Sequence, residues 1–227
     1  MLTELDRTVA AAGAACEGAL PTALAAIGRH NVDLAIWTRR LPPALAHWLD
    51  ALPPAQLPRL RVRIGHPQVA AALDAAFAAA GTPGCAARDL LAADIVALTT
   101  QFARLVESPD LDLRLDTVDD DGCTRWHRDV TPMRLLCTYR GPGSERVDAE
   151  HAAAALADAD DFAGPCYAVP QHAVAVLRGA LDDAGRPWAR GLVHRSPRIA
   201  GQGITRLLLC LNPAAGNAPW FVETLHG

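Results

Sequence analysis

The 227-residue chain is 51 % hydrophobic and 20 % charged, with a formal net charge of −4. That is the composition of a globular chain long enough to bury a large core, not of a disordered or fibrous protein, and it supplies no overall positive field for nucleic acid or an anionic membrane. All 21 basic residues are Arg, and the absence of Lys excludes a pyridoxal Schiff base and a P-loop lysine.

Apolar runs are interrupted by Arg, Asp, His, Pro or Gly well before the roughly 18 residues of a membrane helix. The opening Met-Leu-Thr-Glu-Leu-Asp has neither the basic nor the apolar region of a signal peptide, so the expected location is the cytoplasm. Six cysteines (Cys16, Cys85, Cys123, Cys137, Cys166, Cys210) form no CxxC pair, and reduced thiols are expected. Cys137 and Cys210 lie inside apolar runs and read as small hydrophobes.

In chain order, Thr3 or Asp6 caps an expected helix reaching about residue 26, and residues 33–37 read as a short strand. Pro42 and Pro43 open a helix through Leu49, Pro53, Pro54 and Pro58 mark a loop, and residues 61–64 alternate like a strand. Helical spacing recurs over residues 67–80 and 86–106. Residues 1–108 are therefore expected to be a mostly helical region. From residue 109 to residue 227 the texture changes to short alternating runs between Gly, Pro and Asp, the pattern of an antiparallel sandwich or barrel. Strands are expected at residues 111–118, 133–139, 166–169, 173–177, 191–194, 204–211 and 220–223, with a surface helix or loop over residues 148–161.

Chemistry is concentrated in Cys123-Thr-Arg-Trp-His127-Arg-Asp129. On an extended chain His127 and Asp129 point to the same side and can converge on one cation. A third ligand is offered by His194, which ends an apolar run 67 residues later. Two His and one carboxylate make the facial triad of non-haem Fe(II) oxygenases, with open positions left for a co-substrate and oxygen. The 67-residue separation suggests ligands at opposite ends of a jelly roll. If residues 204–212 return antiparallel to the strand of His194 about a centre at Ala200, then Arg206 faces His194 across the pair. Arg206, in an apolar strand, needs an anionic partner, and the distal carboxylate of 2-oxoglutarate would satisfy it while the keto acid chelates the metal. Arg134, Arg195 and Arg198 are the other candidate anchors. Arg134 and Tyr139 point to opposite faces of one strand, so only one can line the pocket, where Tyr139 could hydrogen-bond a co-substrate carboxylate. Trp126, beside His127, should face away from the metal into the core.

His-x-Asp, a distant His and a following Arg resemble the Fe(II)/2-oxoglutarate-dependent dioxygenases. The resemblance implies an α+β protein whose mostly helical N-terminal region packs on a C-terminal double-stranded β-helix, a jelly-roll or cupin-like barrel. Over about residues 109–215, Trp126-His-Arg-Asp129, Arg134-Leu-Leu-Cys-Thr-Tyr-Arg-Gly-Pro-Gly143, Val193-His-Arg-Ser-Pro197 and Arg206-Leu-Leu-Leu are also similar to a bacterial family known as a domain of unknown function. Its members tend to occur near zinc-homeostasis genes. Arg206 follows His194 by 12 residues, where many of these oxygenases have about 10. The expected activity is O₂-dependent oxidation of a C–H bond in a small-molecule or amino-acid-type substrate, with Fe(II) on His127, Asp129 and His194 and 2-oxoglutarate on Arg206. The alternative is a cupin-like Zn(II) protein serving homeostasis, hydrolysis or elimination, with no use for a dicarboxylate anchor. Neither reading involves nucleic acid or a membrane, and the sequence carries no signal of oligomeric state.

Overall fold

The computed structural model describes residues 13–188 and 190–214. The helix start at Thr3 or Asp6, the strand at 220–223 and His226 fall outside these residues. In chain order the larger strands are β1 (Ala14–Gly18), β2 (Val32–Trp37), β3 (Leu60–Gly65), β4 (Asp110–Val118) and β5 (Met133–Arg140). Then come the short β6 (Glu145–Arg146) and β7 (Tyr167–Ala168), followed by β8 (Val174–Arg178), the short β9 (His194–Arg195) and β10 (Arg206–Pro213). Seven of them form one sheet in the order β1-β2-β8-β5-β10-β4-β3, and three form a second sheet in the order β7-β6-β9. Only β1 and β2 pair in parallel within the large sheet.

An isolated antiparallel bridge between His127 and His194 adds the segment bearing His127 to the free edge of β9. From β4 onward the chain therefore visits the large sheet, the small one (His127), the large one (β5), the small one twice (β6, β7), the large one (β8), the small one (β9) and the large one (β10). This alternation is the winding of a double-stranded β-helix.

Side-chain alternation assigns each face of the large sheet. Leu111, Leu113 and Leu115 of β4, Leu135 and Cys137 of β5, and Leu207, Leu209 and Leu211 of β10 enter one core with the helices α1 (Pro43–Ala51), α2 (Val69–Ala80) and α3 (Ala86–Leu105). Burial of each such Leu is worth roughly 1.5–3 kcal/mol. The opposite face presents Leu136, Ala175, Leu177 and Cys210 to a second cluster with Leu34 and Leu192. Outside the small sheet, the short helix α4 (Ala152–Ala157) packs with Trp126, Val147 and Val193. Trp126 is buried there edge-on to Phe162, with the Arg195 guanidinium over its ring.

Three expectations are corrected. The helix expected through residue 26 is, in its described part, strand β1 followed by a 3-10 segment at Pro21–Gly28. The alanines that favour helix instead pair with β2, Cys16 opposite Ala35, so sheet pairing overrides local propensity. The part of the chain before residue 109 is not merely a helical layer, since β1, β2 and β3 occupy both margins of the sheet that holds β4, β5, β8 and β10. Residues 108 and 109 mark no break in that sheet. Finally, β9 pairs with β6, while β10 pairs with β4 and β5. His194 and Arg206 thus lie in different sheets rather than opposite each other in a hairpin. Among the described residues no helix is long and apolar enough to cross a membrane.

Candidate functional site

His127 and His194 are direct neighbours, not opposite ends of a barrel: each backbone N–H donates to the other's carbonyl at 3.0 Å. The segment bearing them is tied down at several points. The Ala180 N–H donates to the Asp129 carbonyl at 2.7 Å and the Ser196 N–H to the Cys123 carbonyl at 2.8 Å. Asp121 Oδ1 accepts the N–H groups of Ile199 and Ala200 at 2.7 and 2.9 Å. Backbone pairing between two remote loops therefore sets the ligand spacing.

One ligand atom each from His127, Asp129 and His194 lies within 4.8 Å of the others. His127 Nδ1 donates to the Arg125 carbonyl at 2.8 Å, and His194 Nδ1 faces the Leu192 carbonyl at 3.5 Å. A carbonyl only accepts, so these contacts favour the proton on Nδ1 and leave both Nε2 atoms directed at the Asp129 carboxylate, His127 at 3.6 Å from Oδ1 and His194 at 3.4 Å from Oδ2. Asp129 Oδ2 is buried, lacks a hydrogen-bond partner and sits 3.4 Å from His194 Nε2. A buried unpartnered carboxylate oxygen beside two imidazole lone pairs is costly without a cation and fits a divalent metal.

Electrostatics prepare the same state. Burial pushes the His194 imidazole down to about 4, which keeps it neutral. Burial alone would raise the Asp129 carboxyl, but Arg134 and the two imidazoles outweigh it and hold the group well below the usual carboxylate range. Burial opposes a charge on His127 too, yet its contact with Asp129 raises that imidazole overall.

Arg206 opens β10 and is wholly buried. Its Nε donates to the Pro142 carbonyl at 2.8 Å, and its Nη1 and Nη2 donate to Ser196 Oγ and Ser144 Oγ at 3.2 and 3.4 Å. Among the described residues it has no carboxylate within salt-bridge distance, and burial lowers its pKa to about 10. The Gly-Pro-Gly turn makes this seat possible. Gly141 has φ +78°, and a Cβ there would lie 2.9 Å from Arg206 Cγ. A Cβ on Gly143 would fall 1.8 Å from the Val169 carbonyl oxygen. A narrow crevice with only about 10 Å³ of free volume is lined by Leu136, Thr138, Ser144, Ala175, Leu192 and His194. It runs between His194 and Ser144, whose hydroxyl accepts from Arg206.

Of the other residues singled out in the sequence, Tyr139 does not reach this site. Its hydroxyl donates to Asp94 Oδ2 of α3 at 2.6 Å, on the helical face, where Arg39 also grips Asp94 at 2.5 and 2.7 Å. Alternation puts Arg134 on the site face instead, with Nη1 donating to Asp129 Oδ1 and Nε to Asn212 Oδ1 at 2.8 Å. Sequence reasoning missed Ser144, Ser196, Asn212 and Asp94. Ser196 and Asn212 follow His194 and Arg206 by even steps, which was a usable signal; the contact of α3 with β5 through Asp94 left none.

Residues 18–212 match a family described as "Protein of unknown function (DUF1826)". No functionally curated protein gives a significant sequence match. Similar solved structures include a dioxygenase for auxin oxidation from rice, at 16 % identity and TM-score 0.45, covering 82 % of this chain and 74 % of that one. AviO1 from Streptomyces viridochromogenes aligns at 21 % identity and TM-score 0.42, covering 89 % and 100 %. The Kdo hydroxylase KdoO, described as a non-heme Fe(II) alpha-ketoglutarate dependent dioxygenase in complex with cobalt(II), aligns at 10 % identity and TM-score 0.40, covering 79 % of each chain.

Proposed function

The chain belongs to the DUF1826 family, and we propose that it is a mononuclear non-haem Fe(II)/2-oxoglutarate-dependent oxygenase oxidising a C–H bond of a small-molecule or amino-acid-type substrate. The observation that carries this reading is the pairing of a two-His, one-Asp ligand group with a buried guanidinium that has no carboxylate partner among the described residues. A neutral or monoanionic ligand would leave one of these two demands unmet. A dicarboxylate with a chelating keto acid end meets both.

In this reading His127 Nε2, His194 Nε2 and Asp129 Oδ2 hold the metal, and Arg206 with the Ser144 and Ser196 hydroxyls grips the distal carboxylate. Iron bound there supplies oxygen activation driven by decarboxylation of the co-substrate. The chain's own work is geometric and electrostatic. The backbone bridge sets the ligand spacing, the Nδ1 contacts favour one tautomer of each imidazole, and the apolar residues beside His194 keep water from its ring. A zinc-binding cupin-like protein would use the same three ligands, but it gives Arg206 nothing to hold.

The test is anaerobic. Fe(II) and then 2-oxoglutarate are added to metal-free protein, and the weak visible charge-transfer band is followed in wild type, His127→Ala and Arg206→Ala. The band is expected in wild type alone. Bound metal without a band in wild type would sink the oxygenase reading and leave the zinc alternative.

A further inference from the structure

The ligand group is supported from below by an arrangement that its three members do not explain. Arg134, at the start of β5, reaches across the site face with both ends of its guanidinium engaged. Nη1 donates to Asp129 Oδ1, and Nε donates to Asn212 Oδ1 on the adjacent β10 at 2.8 Å. Its side chain is mostly buried and that of Asp129 almost wholly so. A mostly buried guanidinium held by two separate acceptors is a rigid donor, because rotating it would break two charge-assisted hydrogen bonds at once.

The consequence falls on the two oxygens of Asp129, which differ in surroundings. Oδ1 accepts from Arg134 and lies 3.6 Å from His127 Nε2, whereas Oδ2 is buried, unpartnered and 3.4 Å from His194 Nε2. A free carboxylate can chelate a divalent cation through both oxygens and fill two coordination positions. One whose second oxygen is held by a fixed guanidinium is drawn away from chelation and favours a single tooth. Arg114, on the neighbouring β4, adds positive potential felt by Asp129 without a direct contact, so Arg134 is the group that selects the oxygen.

We propose that Arg134 is a positioning residue that restricts Asp129 to one donor oxygen, so that a bound divalent cation receives three protein atoms and keeps three exchangeable positions. The inference rests on the metal-site reading above. It goes further in assigning the number of open positions to one residue outside the ligand group. Three open positions are what a bidentate co-substrate and a third ligand together require; a chelating Asp129 would leave two.

The experiment counts waters. Metal-free full-length protein is loaded with one equivalent of Mn(II), and inner-sphere waters are counted from the field dependence of water-proton relaxation. Three waters are expected for wild type and two for Arg134→Met, a loss of about a third of the inner-sphere relaxivity. Arg134→Lys, which can still donate to Oδ1, should recover most of the difference. Asn212→Ala leaves the Arg134–Asp129 pair in place but frees the guanidinium, should average between the two, and carries the test if Arg134→Met does not fold. A purely structural role would lower the melting temperature of these variants and leave the water count at the wild-type value. An unchanged count in folded Arg134→Met or Asn212→Ala overturns the proposal. If wild type binds no Mn(II), or His127→Ala binds it equally well, the metal-site reading itself fails, which is a different and separately visible result.

Discussion

Replacing Arg206 with Met separates an anchor from a structural arginine. The guanidinium is wholly buried, and burial lowers its pKa from 12.5 to about 10. At about 1.4 kcal/mol per unit, the protein therefore holds this charge at a cost of about 3 kcal/mol relative to water. An arriving carboxylate recovers that cost, so the distal carboxylate of 2-oxoglutarate should gain a factor of a few hundred in affinity from Arg206. Met fills similar volume without the charge. The variant loses the bonds to Pro142, Ser144 and Ser196, each worth about 1 kcal/mol, which offsets the relief, and its unliganded stability should stay within about 1–2 kcal/mol of wild type. The assay is calorimetric titration of Zn(II)-loaded protein with 2-oxoglutarate and with 2-oxobutyrate, which keeps the chelating end and lacks the distal carboxylate. Arg206→Met should weaken 2-oxoglutarate binding a few hundredfold and leave 2-oxobutyrate nearly unchanged. Equal effects on both ligands, or less than a tenfold loss for 2-oxoglutarate, would refute the anchor argument.

Metal-free protein should lose stability as the pH falls from about 6.5 to 4. His194 is driven down to about 4 in the fold, so the unfolded chain takes up its proton first, at a cost of up to about 3 kcal/mol. His127, shifted upward, contributes stability that is already in place below its unfolded pKa, and Asp129, shifted downward, protects above its own unfolded pKa, so both add little slope in the window. Urea midpoints across this range check the prediction, and a wild-type profile as flat as that of His194→Gln would contradict it. Gly143→Ala should destabilise by about 3 kcal/mol or abolish folding, since its Cβ would lie 1.8 Å from the Val169 carbonyl oxygen; a melting temperature within a degree of wild type would remove the turn's assigned role. Tyr139→Phe should cost about 1 kcal/mol of stability through the lost bond to Asp94 while leaving 2-oxoglutarate affinity unchanged, and a large affinity loss on titration would return Tyr139 to the pocket.

The long strands β4, β5, β8 and β10 and the three long helices were legible because each has its own period, two along Leu111, Leu113 and Leu115 and close to four along Leu91, Ile95 and Phe102, whereas the two-residue β6 has none and was not expected. The same alternation assigned Arg134 and Tyr139 to opposite faces, and geometry chose Arg134 for the site. The first strand was not legible. Ala14 to Gly18 has no strand propensity of its own and is extended only because β2 lies beside it.

The sequence by itself determined the donor chemistry at His127, Asp129, His194 and Arg206, and the register of apolar faces along each strand, because both are properties of residue type and local spacing. Only the tertiary structure decided that His127 and His194 exchange backbone hydrogen bonds, that Arg206 finds Ser144 and Ser196 rather than His194, and that the first third of the chain frames the large sheet. Those facts depend on which strands pair across long stretches of sequence. Pairing partners are chosen by the burial of whole faces, a sum over the entire chain that no single segment encodes.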